Sequence, residues 1–191
     1  MSSKGQQTQE KILSATLDLI ERQGFHSTGL QQIIKASGAP KGSLYFHFPE
    51  GKDQIVSCAL QQGSEFINAM INHAFTLADN PSQSVGWLFD GLARRLLDSN
   101  YEKGCPVATT ALEAGDAHPQ VRDACAQAYD LWQDSIARGL CQKGIPEEQA
   151  VYEAPLILSI LEGALMMAKV RRSRQPLDQA RDALLARFPS G

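Results

Sequence analysis

Apolar residues recur at intervals of three and four along almost the whole chain, and no segment sustains a two-residue alternation. That spacing fits the 3.6-residue turn of a helix and not the pleat of a strand, so the chain is predicted to be all-α. Breaks rich in glycine, proline and Asx residues divide it into about nine helices. The first runs from about Gln7 to Gln23, with Ile12, Leu13, Thr16, Leu17 and Ile20 on one face and Gly24 as its stop. Thr28 is expected to cap the second, "GLQQIIKAS", which Gly38 ends, and Lys41 to His47 form the third. Six more follow: about 52 to 78, 82 to 100, some ten residues after "YEKGCP", 119 to 143, "GIPEE" to about Arg172, and "QPLDQARDALLARF". Pro155 lies inside the eighth, where a kink or a later start is expected. A boundary near residue 48 separates three small helices, 1–48, from a larger helical body, 49–191.

The third helix is set off by Ser-Gly-Ala-Pro before it and Phe-Pro-Glu-Gly after it. Seven residues cannot hold a helix alone, so it must be supported from behind and presented to something. Helices two and three, joined by the tight turn Ser37 to Pro40, have the proportions of a helix-turn-helix. In that device the first helix crosses the phosphate backbone and the second meets base edges in the major groove. Gly38 supplies the positive-φ stop, and Pro40 is pre-set for a helix start. Lys41, Gly42, Ser43, Tyr45 and His47 would face the DNA, with Leu44 and Phe48 turned back to helices one and two. Lys41 suits a phosphate or a guanine edge, the Ser43 and Tyr45 hydroxyls suit phosphates or bases, the Tyr45 ring suits a thymine methyl, and Gly42 permits close backbone approach. Thr28 and Gln31 at the head of the second helix join the set, as does Lys52 at the start of the long fourth helix, a site for a phosphate.

Charge does not contradict this. Residues 1–60 carry six Lys/Arg against five acids, a balance of +1, and the remainder carries −4, so local placement and not a general basic coat must serve any nucleic acid. Cys58, Cys105, Cys125 and Cys141 are far apart without C-x-x-C or finger spacing, so reduced thiols are expected and neither a metal site nor a disulfide framework. No run of about 18 apolar residues and no secretory signal are read, which predicts a cytoplasmic protein away from the membrane.

The stretch "TGLQQIIKASGAPKGSLYFHFPEGKDQI" resembles the N-terminal domain of the TetR family of bacterial transcriptional repressors, whose usual form is a Thr-capped helix, Ala/Ser-Gly-Val-Ser, Lys-Gly-Ser/Thr-Leu-Tyr-x-x-Phe and a Lys-led long helix. Residues 8–56 match closely, and Ala39-Pro40 replaces the commoner Val-Ser, so a serine cap on the third helix is missing. The resemblance implies a DNA-binding domain over 1–48 and a helical effector-binding and dimerisation domain over 49–191. It further implies a homodimer formed through helices eight and nine on double-stranded operator DNA. Leu156, Ile160, Ala164 and Met167 with Leu177, Leu184 and Phe188 supply the stripes for such an interface. Two heads about 34 to 36 Å apart would match successive major grooves.

The same resemblance implies a small apolar or aromatic effector. The positions where the family lines its cavity are here Phe66, Met70, Trp87, Phe89, Val107, Thr110, Tyr129, Trp132, Glu162 and Met166. "GCPVATTALEAG" is similar to a segment in members that respond to drugs, aromatic compounds or electrophiles, and Cys105 in it stands next to a helix N-terminus that favours thiolate, as a pocket wall or a sensor thiol. Efflux or detoxification genes are the implied targets. Catalysis is not expected: there is no H-E-x-x-H, no G-x-S-x-G, no phosphate loop, and no cofactor motif. The alternative from another class is a helical protein-interaction module, and steep salt dependence of binding separates DNA from it. The basic run Lys169 to Gln175 is read as complementing the end of helix eight.

Overall fold

A computed structural model describes residues 4–188. Among them are nine α-helices and no strand: α1 Lys4–Gln23, α2 Leu30–Ser37, α3 Lys41–His47, α4 Lys52–Leu77, α5 Pro81–Asp98, α6 Pro106–Glu113, α7 Pro119–Gln142, α8 Glu147–Arg171 and α9 Gln175–Leu185. The all-α expectation holds, and α3 has the bounds that its flanking breaks predict. α8 starts at Glu147 and continues through Pro155 to Arg171. The later start is therefore not found: Pro155 is the ninth residue of the helix, where it cannot donate to the Val151 carbonyl, and α8 continues past it without that hydrogen bond.

The chain divides into two compact units, one running to Ser64 and resuming over Cys105–Ala128, the other comprising Glu65–Gly104 and the chain from Tyr129. In the first unit, Ile12 of α1, Ile33 of α2, Ala39 of the turn, Leu44 of α3, Phe48 and Ile55 of α4 close one core, with Leu13, Leu19, Leu30, Ile34 and Cys58 packed around it. Each large aliphatic or aromatic side chain buried there contributes about 1.5–3 kcal/mol. That contribution holds α3 in place. α6 belongs to this unit and packs against α1.

In the second unit α5, α8 and α9 pack on one another. α8 is the helix whose length and mean hydropathy would suit a membrane span, yet Ile157, Leu158, Leu161, Ala164, Leu165 and Ala168 are buried in the protein, and Glu153 and Glu162 interrupt its apolar run. The buried Glu153 carboxylate accepts two hydrogen bonds from Arg187, at 2.6 and 3.1 Å, which tie the residues after α9 back to α8. Asp90 of α5 accepts from Arg174 and, at 2.9 Å, from Arg181 of α9, and so joins those two helices.

Candidate nucleic-acid interface

α2 ends where Gly38 takes the left-handed conformation, φ 63°, and its N–H returns to the Ile34 carbonyl. A side chain there would be strained, which is why glycine stands at the turn. The Ser37 hydroxyl accepts from Ala39 N–H at 3.3 Å and tightens the corner. Pro40 precedes α3 with φ −59°, and no side chain caps that helix. The missing serine cap is therefore real in the fold. Leu44 and Phe48, four residues apart, are buried and point α3 outward.

Lys41, Gly42 and Tyr45 are exposed on the outer surface of α3, and Ser43 and His47 are half-buried beside them. Gln31 is exposed on α2. Of the expected contacts, these six therefore reach the surface, fully or in part. Phe46 was not among the expected contacts, although it is 81% exposed. The signal was present in the spacing: two residues on from buried Leu44, a helical side chain lies about 200° away, on the opposite face.

Two expected contacts have other surroundings. Thr28 is buried, and its hydroxyl donates to the Gly24 carbonyl at 2.7 Å; Gly29 is the cap residue of α2. The start of α2 is served instead by Gln32, whose Oε1 reaches back to accept from Gly29 N–H at 2.9 Å. A bulkier cap is unnecessary once that longer side chain satisfies the start of the helix. Lys52 is turned inward, with Nζ donating to the Phe25 carbonyl at 2.8 Å and lying 4.1 Å from the centre of the Phe25 ring. Burial lowers the Lys52 pKa from its ordinary value, while the charges of Asp53 and Glu113 pull it back up.

Around Phe25 the first unit carries a polar clamp that sequence reasoning did not find. Glu113, the last residue of α6, accepts the His26 N–H at 2.6 Å. Its Oε1 lies 2.3 Å from where a side chain at Gly24 would begin, and Gly24 has φ +85°. His118, just before α7, places Nδ1 2.9 Å from Asp53 Oδ2 at the start of α4, and its ring meets Phe25 edge-on at 4.8 Å. A carboxylate can only accept, so that ring nitrogen carries the hydrogen. No local pattern reveals this clamp, because its partners are 65 and 87 residues apart.

A short exposed helix, held by two buried anchors behind a left-handed turn, is the geometry of a reading head, and residues 12–57 match the family described as "Bacterial regulatory proteins, tetR family". Residues 81–183, more than half the chain, match "Transcriptional regulator LmrA/YxaF-like, C-terminal domain". The chain belongs to the TetR family of transcriptional regulators. It is 37% identical to an uncharacterized HTH-type transcriptional regulator of Mycobacterium tuberculosis, over 93% of this chain and 94% of that one. It is 34% identical to the HTH-type transcriptional regulator LmrA of Bacillus subtilis, over 89% and 90% of the two chains. Its fold is similar to that of a TetR transcriptional regulator from Legionella pneumophila, with a TM-score of 0.85, 18% identity and 99% of each chain covered. Membership makes it a DNA-binding helix-turn-helix regulator and not an enzyme. The protein-interaction alternative is set aside on the same ground.

The residues that the TetR resemblance assigned to an effector are distributed over both units. In the first, Val107 and Thr110 of α6 are buried, and Cys105 caps α6, its sulfur accepting from Ala108 N–H at 3.4 Å. Thr110 Oγ1 is buried without a hydrogen-bond partner. In the second, Phe89 and Trp132 are buried, and the Trp132 ring meets Tyr129 edge-on at 5.8 Å. Met70 and Glu162 are half-buried. Trp87 does not share a face with Phe89. It is exposed and lines a surface groove of about 350 Å³ with Asp90, Arg181 and Leu185. Phe66 and Met166 are also exposed, with the Arg95 guanidinium 4.9 Å from the Phe66 ring centre. Helical spacing alone could not separate these outward aromatics from the buried ones, because the face that is covered depends on which helices pack there.

Proposed function

We propose that this regulator is a repressor that binds operator DNA as a homodimer, is released by a small, largely apolar effector, and controls efflux or detoxification genes. The observation that carries the DNA part is α3 itself, anchored by Leu44 and Phe48 and exposing Lys41, Gly42 and Tyr45. Ser43, His47 and Gln31 complete the proposed contact set, while Thr28 and Lys52 act by holding the corner. The functional division stays at residue 48, with 49–191 taking the effector and the second subunit.

Self-association is supported by α8. Tyr152, Leu156, Ser159, Gly163, Met166 and Val170 recur at helical spacing, and Tyr152, Met166 and Val170 are exposed large apolar or aromatic side chains. Leu177, Leu184 and Phe188, by contrast, are buried within the chain, so the apolar stripe of α9 serves its own core. The apolar or aromatic effector is carried by the family resemblance, and Phe89 and Trp132 are the buried aromatic residues among the positions it assigns. Such a ligand releases DNA only if it binds the non-operator conformation more tightly.

The test is a fluorescence-anisotropy titration on the duplex upstream of the protein's own gene, against a shuffled duplex, at two salt concentrations. Preference for the native duplex with steep salt dependence is expected. Equal weak binding to both duplexes, together with no enriched sequence in a selection from random DNA, would refute the reading.

A further inference from the structure

Two features of α3 are unfavourable for the isolated fold, and they lie four residues apart on one ridge. Phe46 leaves four fifths of its side chain in water, the most exposed aromatic among the described residues. It has no hydrogen-bonding atom with which to use that position, and its ring has His47 beside it, edge-on at 5.2 Å. Gly42 lies one turn earlier, the second residue of the helix, where glycine gives up more backbone freedom than alanine would. Nothing in the fold asks for glycine there: a side chain at Gly42 would meet nothing within 4 Å, and its φ is not positive. This contrasts with Gly24 and Gly38, whose positive φ explains them.

A helical side chain leans toward the N-terminus and covers the turn before its own Cα. Phe46 and Gly42 therefore share one ridge of α3, and the space where a Gly42 side chain would stand is open. The open space over Gly42 and the exposed phenyl group one turn away make a small apolar notch. Phosphates, guanine edges and the amino groups of adenine and cytosine have nothing to gain from it, since each would lose hydrogen bonds to water. One group in the major groove is apolar and of the right size, the C5-methyl of thymine.

We propose that Phe46 and Gly42 together read a thymine methyl in each operator half-site. The inference rests on the placement of α3 in the major groove, and it assigns to Phe46 a specificity role beyond the contacts expected of Lys41 and Tyr45. The glycine is retained because any side chain would fill the notch.

The test uses the full-length protein and a duplex it selects from a random pool. Each thymine in that duplex is replaced in turn by deoxyuridine, which removes the methyl and leaves every hydrogen-bonding group. One position per half-site is expected to weaken wild-type binding by about 3- to 10-fold, the scale of one buried methyl. The same replacement should leave the affinity of Phe46→Ala unchanged, and Phe46→Leu should keep part of the sensitivity. Gly42→Ala is expected to raise the melting temperature, because alanine is the better helix former. It should also lose the preference for thymine over deoxyuridine. Both substituted positions are exposed, so folding is not at stake. If no thymine is sensitive in the wild type, or if Phe46→Ala retains the full deoxyuridine penalty, the proposal is overturned. Failure to select any duplex would overturn the DNA-reading role of α3 and the notch with it, and is distinguishable from the first two outcomes.

Discussion

Lys41 stands exposed at the first position of α3, whereas the Lys52 ammonium is held by the Phe25 carbonyl and over the Phe25 ring. Neutralising the first should therefore be felt by DNA, and neutralising the second by the fold. Lys41→Met is expected to lower the slope of log affinity against log salt by about 0.9 for each phosphate left without its cation. Lys52→Met should leave that slope unchanged and cost about 1–2 kcal/mol of stability in urea unfolding, because it removes the charged hydrogen bond and the ammonium over the ring. Cys125 makes a prediction about pH. Burial pushes its thiol up to about 11, above the ordinary thiol value. In the unfolded chain it ionises first, so its contribution to stability is complete below the ordinary value and is lost as the pH rises through the folded one. Cys125→Ala should show a shallower fall in unfolding free energy between about pH 9 and pH 11 than wild type. In native protein at neutral pH, exposed Cys141 should be alkylated well before Cys125.

At the scale of elements, the corner between α1 and α2 is set by a contact from α6. Gly24 has a backbone that favours glycine, and Glu113 fills the space where a side chain would go. Those are two separate penalties for Gly24→Ala, and they can be measured apart. In the wild-type background the substitution should cost both the positive-φ strain and the clash. In a Glu113→Ala background only the strain, about 1 kcal/mol, should remain. A double-mutant cycle by chemical denaturation is expected to show a coupling of about 0.5–3 kcal/mol between the two sites. Additive effects would mean that Glu113 swings aside freely and does not hold the corner.

For the whole molecule, the exposed apolar ridge of α8 should decide the oligomeric state. Val170 is 80% exposed, so its replacement by a charge leaves the core of the chain untouched. Val170→Glu is expected to convert a dimer to a monomer in light scattering, with a circular-dichroism spectrum like that of wild type. Operator affinity should fall at least 10-fold, because one head alone spans one half-site. A dimer that persists would place the interface elsewhere on the chain.

The number and order of helices, the bounds of α3 and the left-handed stop at Gly38 were all legible in the sequence. They depend on helical period and on glycine and proline, whose effects act over a few neighbouring residues. The exposure of Lys41, Gly42 and Tyr45 was equally readable, since Leu44 and Phe48 four residues apart fix which face is outward. What the tertiary structure alone decided was the use made of side chains whose partners are remote in sequence. Thr28 and Lys52 were turned from the surface to the backbone at Gly24 and Phe25, and the α9 stripe was consumed by the chain's own core. Glu113 and His118 were brought to a corner 87 and 65 residues away. Residues 105–128 joined the compact unit of the head for the same reason. An amphipathic pattern states that a face will be covered, but only packing selects what covers it, because the free energy of burial is nearly indifferent to the identity of the partner.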